Sequence, residues 1–106
     1  NNLWERFYQY DDRVREMIVD GNVRVGFEQA ALLMAWGPAH VRKKMVGRPA
    51  ARAEMFTYFI EVTADRQHLF WTPASQESNF AVKKYRKEVI LHDGIVAEIN
   101  EQDGWE

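Results

Sequence analysis

The sequence predicts an α+β fold in which two N-terminal helices pack on an antiparallel sheet. Apolar residues recur at helical spacing in the first third of the chain and alternate with polar residues in the second half. Glycine-containing turns separate these segments, and neither an internal repeat nor a low-complexity tract interrupts them. Helices followed by consecutive strands are typical of an α+β domain.

Two helices are predicted in the N-terminal half. The first covers about residues 4–20, because apolar side chains recur there every three or four positions. These side chains are Leu3, Phe7, Val14 and Ile18. The segment 20–22, Asp-Gly-Asn, ends this helix, since Gly and Asn tolerate the left-handed conformation. A second, short helix covers residues 27–36 and ends at residues 37–38, where proline cannot continue the hydrogen-bond ladder.

An antiparallel sheet is predicted over about residues 54–102. The predicted strands cover residues 55–63, 80–91 and 95–102. In the first of them, apolar side chains fall on alternate positions and give the strand one apolar face. The sheet therefore has three strands, or four if residues 69–71 add a short one, and residues 103–106 form a tail.

The last two strands form a hairpin whose register can be predicted. A two-residue turn at 93–94 would pair Val89 with Glu98 and mix charge into an apolar face. A three-residue loop at 92–94 pairs Val89 with Ala97 instead. We therefore predict the three-residue loop.

Length and composition restrict the class of protein. A chain of 106 residues is too short for two independent cores, so residues 1–106 are expected to form one domain. No apolar run is long enough for a transmembrane segment. With 14 basic and 16 acidic residues, the net charge of −2 does not indicate a nucleic-acid binder. Without cysteine, a disulfide, a thiolate nucleophile and a cysteine-based metal site are excluded.

The sequence contains no recognisable catalytic motif. It lacks a nucleophile elbow, a phosphate-binding glycine loop and an H-E-x-x-H helix. We therefore predict no enzymatic activity, no cofactor and no metal. One alternative stays open, which is a metal or acid–base site assembled in space from His68 and His92 with Asp65 and Asp93.

Basic residues are concentrated in two segments. Residues 41–53 and 83–87 carry Lys and Arg without acids, whereas residues 88–106 carry six acids and no base. Such clusters are either solvated surface or a contact for anionic lipid headgroups or an acidic partner. The basic candidates for such a contact are Arg42, Lys43, Lys44, Lys83, Lys84, Arg86 and Lys87.

Aromatic residues divide between a predicted core and a candidate partner surface. Trp36, Phe56 and Tyr58 fall on faces that the short helix and the sheet must bury. Phe70 and Trp71 lie in a connection flanked by polar residues, where they either join the core or anchor a partner. We include both in the candidate surface. The same two interpretations stay open for Trp4, Phe7 and Tyr8.

Four short motifs resemble one known family. They are Gly21-Asn22-Val23-Arg24-Val25-Gly26-Phe27-Glu28, Ala35-Trp36-Gly37-Pro38, Tyr58 in the first long strand, and His92-Asp93-Gly94-Ile95-Val96. In this order and spacing, over about residues 14–100, the chain resembles the SmpA/OmlA (BamE-like) family of bacterial envelope lipoproteins. It departs from that family at Glu28, where Ser or Thr usually caps the short helix.

The resemblance implies a two-helix, three-stranded fold similar to a half-domain of the β-lactamase-inhibitor-protein type. It also implies a periplasmic location, with an outer-membrane lipid anchor on a cysteine upstream of residue 1. We expect a non-catalytic interaction or scaffold module, the soluble part of a lipoprotein, that binds an envelope protein partner or an anionic lipid surface. The alternative is a soluble protein inhibitor or ligand-binding domain of the same fold.

Overall fold

The computed structural model describes residues 3–45, 52–71 and 81–105. The described helices are α1 (Leu3–Phe7), α2 (Asp12–Val19) and α3 (Gln29–Trp36). The strands are β1 (Val41–Lys44), β2 (Ala53–Val62), β3 (His68–Phe70), β4 (Lys83–His92) and β5 (Ile95–Asp103). These elements form the predicted α+β architecture. None of the described helices is long and apolar enough to cross a membrane.

The strands form one antiparallel sheet in the order β1-β2-β4-β5, and β3 pairs with the end of β2 beyond β1. The helices lie against one face of this sheet, which we call the helical face. Alternate residues of β2 and β4 point to it, because side chains alternate along a strand. The buried residues of these two strands on the helical face are Phe56, Tyr58, Ile60, Tyr85, Val89 and Leu91. They form one hydrophobic cluster with Ile18 of α2 and with Leu32 and Trp36 of α3.

The prediction of one continuous helix over residues 4–20 is wrong. The chain leaves the helical conformation after Phe7 and re-enters it at Asp12. The Asp11 carboxylate accepts a hydrogen bond from the Val14 N–H at 2.9 Å, so Asp11 caps the N-terminus of α2. Asp12 in the first turn adds favourable interaction with the helix dipole. The apolar periodicity continues across this break and therefore does not reveal it.

The N-terminus of α3 is tied to the last hairpin of the sheet. α3 begins at Gln29, two residues later than predicted, and the Glu28 side chain does not cap it. Instead, the Gln29 N–H donates to the Gly94 carbonyl at 2.9 Å. Val96 exchanges two further backbone hydrogen bonds with residues 26–27. The β4–β5 turn thus satisfies an N–H of the first helical turn, which would otherwise need a side-chain cap or water.

The predicted register of the β4–β5 hairpin is wrong. The turn at 93–94 has two residues, both with positive φ angles. A bulge at Ala97 then shifts the pairing, so that Val89 lies opposite Ile99. The extra residue keeps the apolar side chains of both strands on the helical face. With a two-residue turn and no bulge, Val89 would lie opposite Glu98 instead.

Of the two short strands, the sequence predicts β3 but not β1. β1 lies in the basic segment 41–53, where the sequence predicts no strand, and its four exposed residues pair with the first half of β2. β3 confirms a short additional strand near residues 69–71, with its bounds shifted by one residue. Residues 46–51, which include Arg48 of the basic segment 41–53, and residues 72–80, which lie between β3 and β4, are outside the described residues.

Candidate functional site

The first predicted basic cluster lies on β1, at one edge of the sheet. Its residues Arg42, Lys43 and Lys44 are all exposed. The Arg42 guanidinium lies 3.2 Å from a carboxylate oxygen of Glu54 and 4.3 Å from the centre of the Phe56 ring. The cluster is therefore accessible to a large anionic partner, although Arg42 already has contacts within the sheet.

The second basic cluster is divided between the two faces of the sheet, because consecutive residues of β4 alternate in direction. Lys83 and Lys87 lie on the helical face, where each approaches an acid of β5 to within 4.0 Å. Lys84 and Arg86 lie on the opposite face, where the Lys84 ammonium is 4.6 Å from the centre of the Trp105 ring. The four residues therefore do not form one basic surface.

Phe70 and Trp71, predicted as partner anchors, are packed against the sheet. Phe70 lies on the helical face, with its ring centre 5.6 Å from that of Trp36 and 6.0 Å from that of Tyr58. Trp71 lies on the opposite face and is 8% exposed; its indole N–H donates to a Glu61 carboxylate oxygen at 2.8 Å. Of the two interpretations left open by the sequence, this geometry favours packing, and we remove both residues from the candidate surface.

Trp105, which the sequence assigns to a tail, folds onto the same face as Trp71. Its ring centre lies 4.6 Å from that of Trp71 and 5.4 Å from that of Phe59. The Trp105 indole N–H donates to the Ile60 carbonyl at 3.2 Å. The His40 ring centre lies 4.7 Å from that of Phe59 and extends the cluster. Periodicity does not predict this cluster, because its members come from separate segments of the chain.

The histidine site left open by the sequence is not assembled. His68 pairs with Val62 at one end of β2, whereas His92 pairs with Ala53 at the other end. An extended strand of this length separates the two by about 30 Å. The His68 Nδ1 instead lies 2.8 Å from the Tyr85 hydroxyl. Among the described residues, no group of three His, Cys, Asp or Glu side chains could hold a metal ion.

An apolar groove lies among the three helices. Its volume is about 420 Å³. Its lining consists of Leu3, Trp4, Phe7, Ile18, Val19, Leu33, Met34 and Ala35. Trp4 is 67% exposed and Val19 is 75% exposed, although large apolar side chains usually prefer burial. The groove is thus a concave apolar surface presented to solvent, as is typical of binding sites.

A second, shallower depression continues the groove along α2. Tyr8, which is 69% exposed, stands at this end. The polar lining of the depression consists of Asp12, Arg15, Glu16 and Asp20. Arg15 forms an ion pair with Asp12. We call these four residues the acidic rim, because their formal charges sum to a negative value.

The sequence predicts part of this groove and misses the rest. It leaves Trp4, Phe7 and Tyr8 open between core and interface, and the structure exposes Trp4 and Tyr8 while Phe7 is half-buried. The sequence does not indicate that Val19 and Leu33 belong to a surface site. The available signal was on α2, where Val19 extends the apolar surface beyond the stripe that packs on the sheet.

α1 is held to the other helices through Glu28. The Arg6 Nε and the Tyr10 hydroxyl donate to the same Glu28 carboxylate oxygen, at 2.9 Å and 2.8 Å. These hydrogen bonds, with that from Arg6 contributing most, hold the pKa of Glu28 below its ordinary value. α1 has no fully buried residue, so the contacts of Glu28 help to position Leu3 and Trp4 beside the groove.

Replacing Glu28 with glutamine is expected to loosen α1 while the sheet stays folded. The folded-state pKa of Glu28 is lowered, so its stabilising contribution is complete above the ordinary pKa and is lost as the pH falls through the lowered value. The N–H groups of residues 8–10 donate to carbonyls of α1. Their hydrogen exchange should therefore be a few-fold faster in the variant at neutral pH, and the two proteins should converge in acid. The effect is modest and salt-sensitive, because both Arg6 and Glu28 are partly exposed.

Glu16→Gln is the matched control, because it makes the same change of charge on α2. It should leave the exchange of residues 8–10 unchanged. Equal protection of these residues in wild type and Glu28→Gln at neutral pH would show that Glu28 does not hold α1.

The groove and the acidic rim together form the candidate site. Trp4, Tyr8 and Val19 give it exposed apolar side chains, and α2 gives it negative charge. Such a surface is suited to contact with another chain. When the chain is compared with protein-family models, with curated proteins and with solved structures, nothing matches it.

Proposed function

We propose that this chain is a non-catalytic, protein-binding module of the bacterial envelope, and that its groove takes an apolar segment of a partner protein. The exposure of Trp4 and Val19 in the lining of the apolar groove, with Tyr8 exposed in the adjoining depression, is the observation that carries the proposal. Aromatic side chains next to a pocket often supply much of the affinity of a protein interface. Exposed apolar groups that lie together as one patch, unlike single exposed residues, are typical of surfaces that a partner covers.

The groove suits an α-helix as the partner segment. In helix-in-groove recognition, apolar side chains three and four positions apart enter one continuous depression. The groove of about 420 Å³ has room for a few such side chains, and the shallower depression extends its length along α2. Met34 and Leu33 form part of its lining on α3, and Val19 lines both depressions. The partner segment is therefore expected to carry apolar residues at helical spacing.

The acidic rim favours a partner helix with basic residues beside its apolar stripe. Opposite charges around an interface add modest affinity, accelerate association and select against partners of the wrong charge. An acidic helix would meet repulsion from Asp12, Glu16 and Asp20. The acidic rim thus favours basic over acidic partner helices, although the apolar lining alone would bind both.

The envelope location in this proposal is supported by the resemblance of residues 21–28 and 92–96 to BamE-like lipoproteins. A lipid anchor upstream of residue 1 would hold the domain at the periplasmic face of the outer membrane. The exposed Arg42, Lys43 and Lys44 of β1 would then be available to anionic headgroups. Feeding a fatty-acid label to the native host tests this part: a labelled, membrane-associated product supports it, and an unlabelled cytosolic product contradicts it.

A model peptide tests the groove directly. A helical peptide with Leu at every third or fourth position and Lys between them is expected to bind with a dissociation constant of about 10–100 μM. The same peptide with Glu in place of Lys should bind at least about tenfold more weakly, because of the acidic rim. Isothermal titration calorimetry at low salt measures both values.

Val19→Lys is the informative variant for this binding. It places a charge in the apolar lining at a position that is 75% exposed, so the fold is expected to tolerate it. The affinity for the Lys peptide should fall by about tenfold. Val25→Lys makes the same change at a valine that is 63% exposed outside the groove, and it should leave the affinity nearly unchanged. Equal losses in the two variants would rule out the groove as the binding site.

A further inference from the structure

The two edges of the sheet carry opposite charge. β1 forms one edge and has Arg42, Lys43 and Lys44 among its four residues. β5 forms the other edge and carries three acids and no base. We propose that copies of this chain join edge to edge, with β1 of one copy pairing with β5 of the next. This contact uses a different surface from the groove among the helices.

The later part of β5 offers backbone groups to a new strand. Its first residues are covered, because Val96 exchanges hydrogen bonds with residues 26–27. Farther along, the Gly104 N–H donates to the Lys84 carbonyl, which fixes the alternation of the antiparallel ladder. By that alternation, the N–H and C=O groups of residues 99, 101 and 103 point away from β4. Among the described strands, none but β4 pairs with this part of β5.

β1 offers the complementary backbone groups. The Met45 N–H donates to the Ala53 carbonyl, so the N–H and C=O groups of Arg42 and Lys44 point away from β2. The two side chains lie on the helical face, because Arg42 pairs with Phe56 and side chains alternate along a strand. Two basic residues thus stand at an edge whose backbone is directed outward.

The strand directions allow the two edges to meet. Neighbouring strands in the order β1-β2-β4-β5 are antiparallel, so β1 runs opposite to β5. A second copy that keeps the same orientation and lies beside the first therefore places its β1 antiparallel to the first copy's β5. The helical layers of both copies then lie on the same side of one continuous sheet.

One register places opposite charges directly across from each other. When Arg42 of one copy lies opposite Asp103 of the next, Lys44 lies opposite Glu101, with all four side chains on the helical face. Opposite charges across two strands stabilise the pairing, and like charges destabilise it. Within one copy, the two acids lie 4.0 Å and 3.9 Å from lysines of β4, and such long contacts rearrange at small cost. A symmetric contact between two copies of β5 would place acids against acids.

Sedimentation velocity from about 10 μM to about 1 mM protein tests the proposal. Because β1 has four residues, the contact is smaller than that of a stable dimer, and weak self-association is expected at low salt. Raising the salt to about 0.5 M should weaken it several-fold. A protein that stays monomeric at about 1 mM in low salt would overturn the proposal.

Charge reversal at either edge provides a sharper test. Two double variants reverse the charge, one at each edge: Arg42→Glu with Lys44→Glu on β1, and Glu101→Lys with Asp103→Lys on β5. Each should weaken self-association by at least about tenfold. An equimolar mixture of the two variants should restore association. The acidic β1 of the first variant then meets the basic β5 of the second, and the basic β1 of the second meets the acidic β5 of the first. A mixture that stays monomeric, or variants that associate like wild type, would overturn the proposal.

Two controls keep this test informative. Arg13→Glu changes the net charge as much as Lys44→Glu alone does, but at an exposed position on α2, and it should leave self-association unchanged. Lys44→Glu alone leaves the contact of Arg42 with Glu54 in place, and it replaces the double variant of β1 in this test if that variant is unstable. Circular dichroism establishes that each variant is folded before its association is compared.

Discussion

Replacing Phe70 and Trp71 together with alanine is expected to lower the free energy of unfolding by about 5 kcal/mol. Phe70 fills space beside Trp36 and Tyr58, so its removal opens a cavity in the core. Trp71 is almost fully buried and donates a hydrogen bond to Glu61, which the double variant loses as well. Because domains of this size have only about 5–15 kcal/mol of stability, this loss removes at least about a third of it and should move the urea unfolding transition of the double variant to a much lower concentration.

Leu69→Ala is the control for this double variant. Leu69 lies on the same strand but is 44% exposed, so its replacement should cost less than about 1 kcal/mol. Urea unfolding followed by far-ultraviolet circular dichroism measures all three proteins. A double variant that unfolds at the wild-type urea concentration would return Phe70 and Trp71 to the candidate surface.

Replacing Trp36 with alanine is expected to cost about 4 kcal/mol of stability. Trp36 is the last residue of α3, is 6% exposed, and its ring centre lies 5.3 Å from that of Tyr58. Its indole N–H donates to the Gly21 carbonyl at 2.8 Å, which joins the end of α3 to the end of α2. The alanine variant therefore loses core contacts and leaves this carbonyl without its donor.

Two further replacements separate these contributions. Trp36→Phe keeps an aromatic ring but removes the N–H, and it should cost about 1–2 kcal/mol. Trp4→Ala removes an indole that is 67% exposed, and it should cost less than about 1 kcal/mol. Urea unfolding again provides the measurement. If Trp4→Ala and Trp36→Ala lowered stability equally, the placement of Trp36 in the core would be contradicted.

The α+β class and the buried face of β2 could be predicted from local pattern alone. Phe56, Tyr58 and Ile60 occupy alternate positions, and the structure buries all three on the helical face. Pattern and packing agree here because a slip of one residue would turn the whole apolar set to the other face. The ends of α2 and α3 at Gly21 and Gly37 also follow local rules, since both glycines have positive φ.

Other features depend on tertiary contacts that no local pattern contains. The bulge at Ala97 allows a two-residue turn without placing Glu98 opposite Val89, so a register argued from simple alternation failed. The helix break before α2 coincides with the N-cap of Asp11, and apolar periodicity, which continues across the break, does not reveal it. The groove and the adjoining depression depend on how three helices pack together. The sequence therefore leaves Trp4 and Tyr8 open between core and interface and does not place them in these two depressions.

The hydrogen bond between Gln29 and Gly94 has a consequence for the synthesis of the chain. The helices leave the ribosome first, yet α3 then lacks the acceptor for this N–H, and β2 lacks its partner β4. Helices this short are marginal in water without tertiary contacts. The domain is therefore expected to fold after translation of the β4–β5 hairpin, in a single cooperative step. Until that moment its N-terminal half remains a substrate for chaperones and proteases.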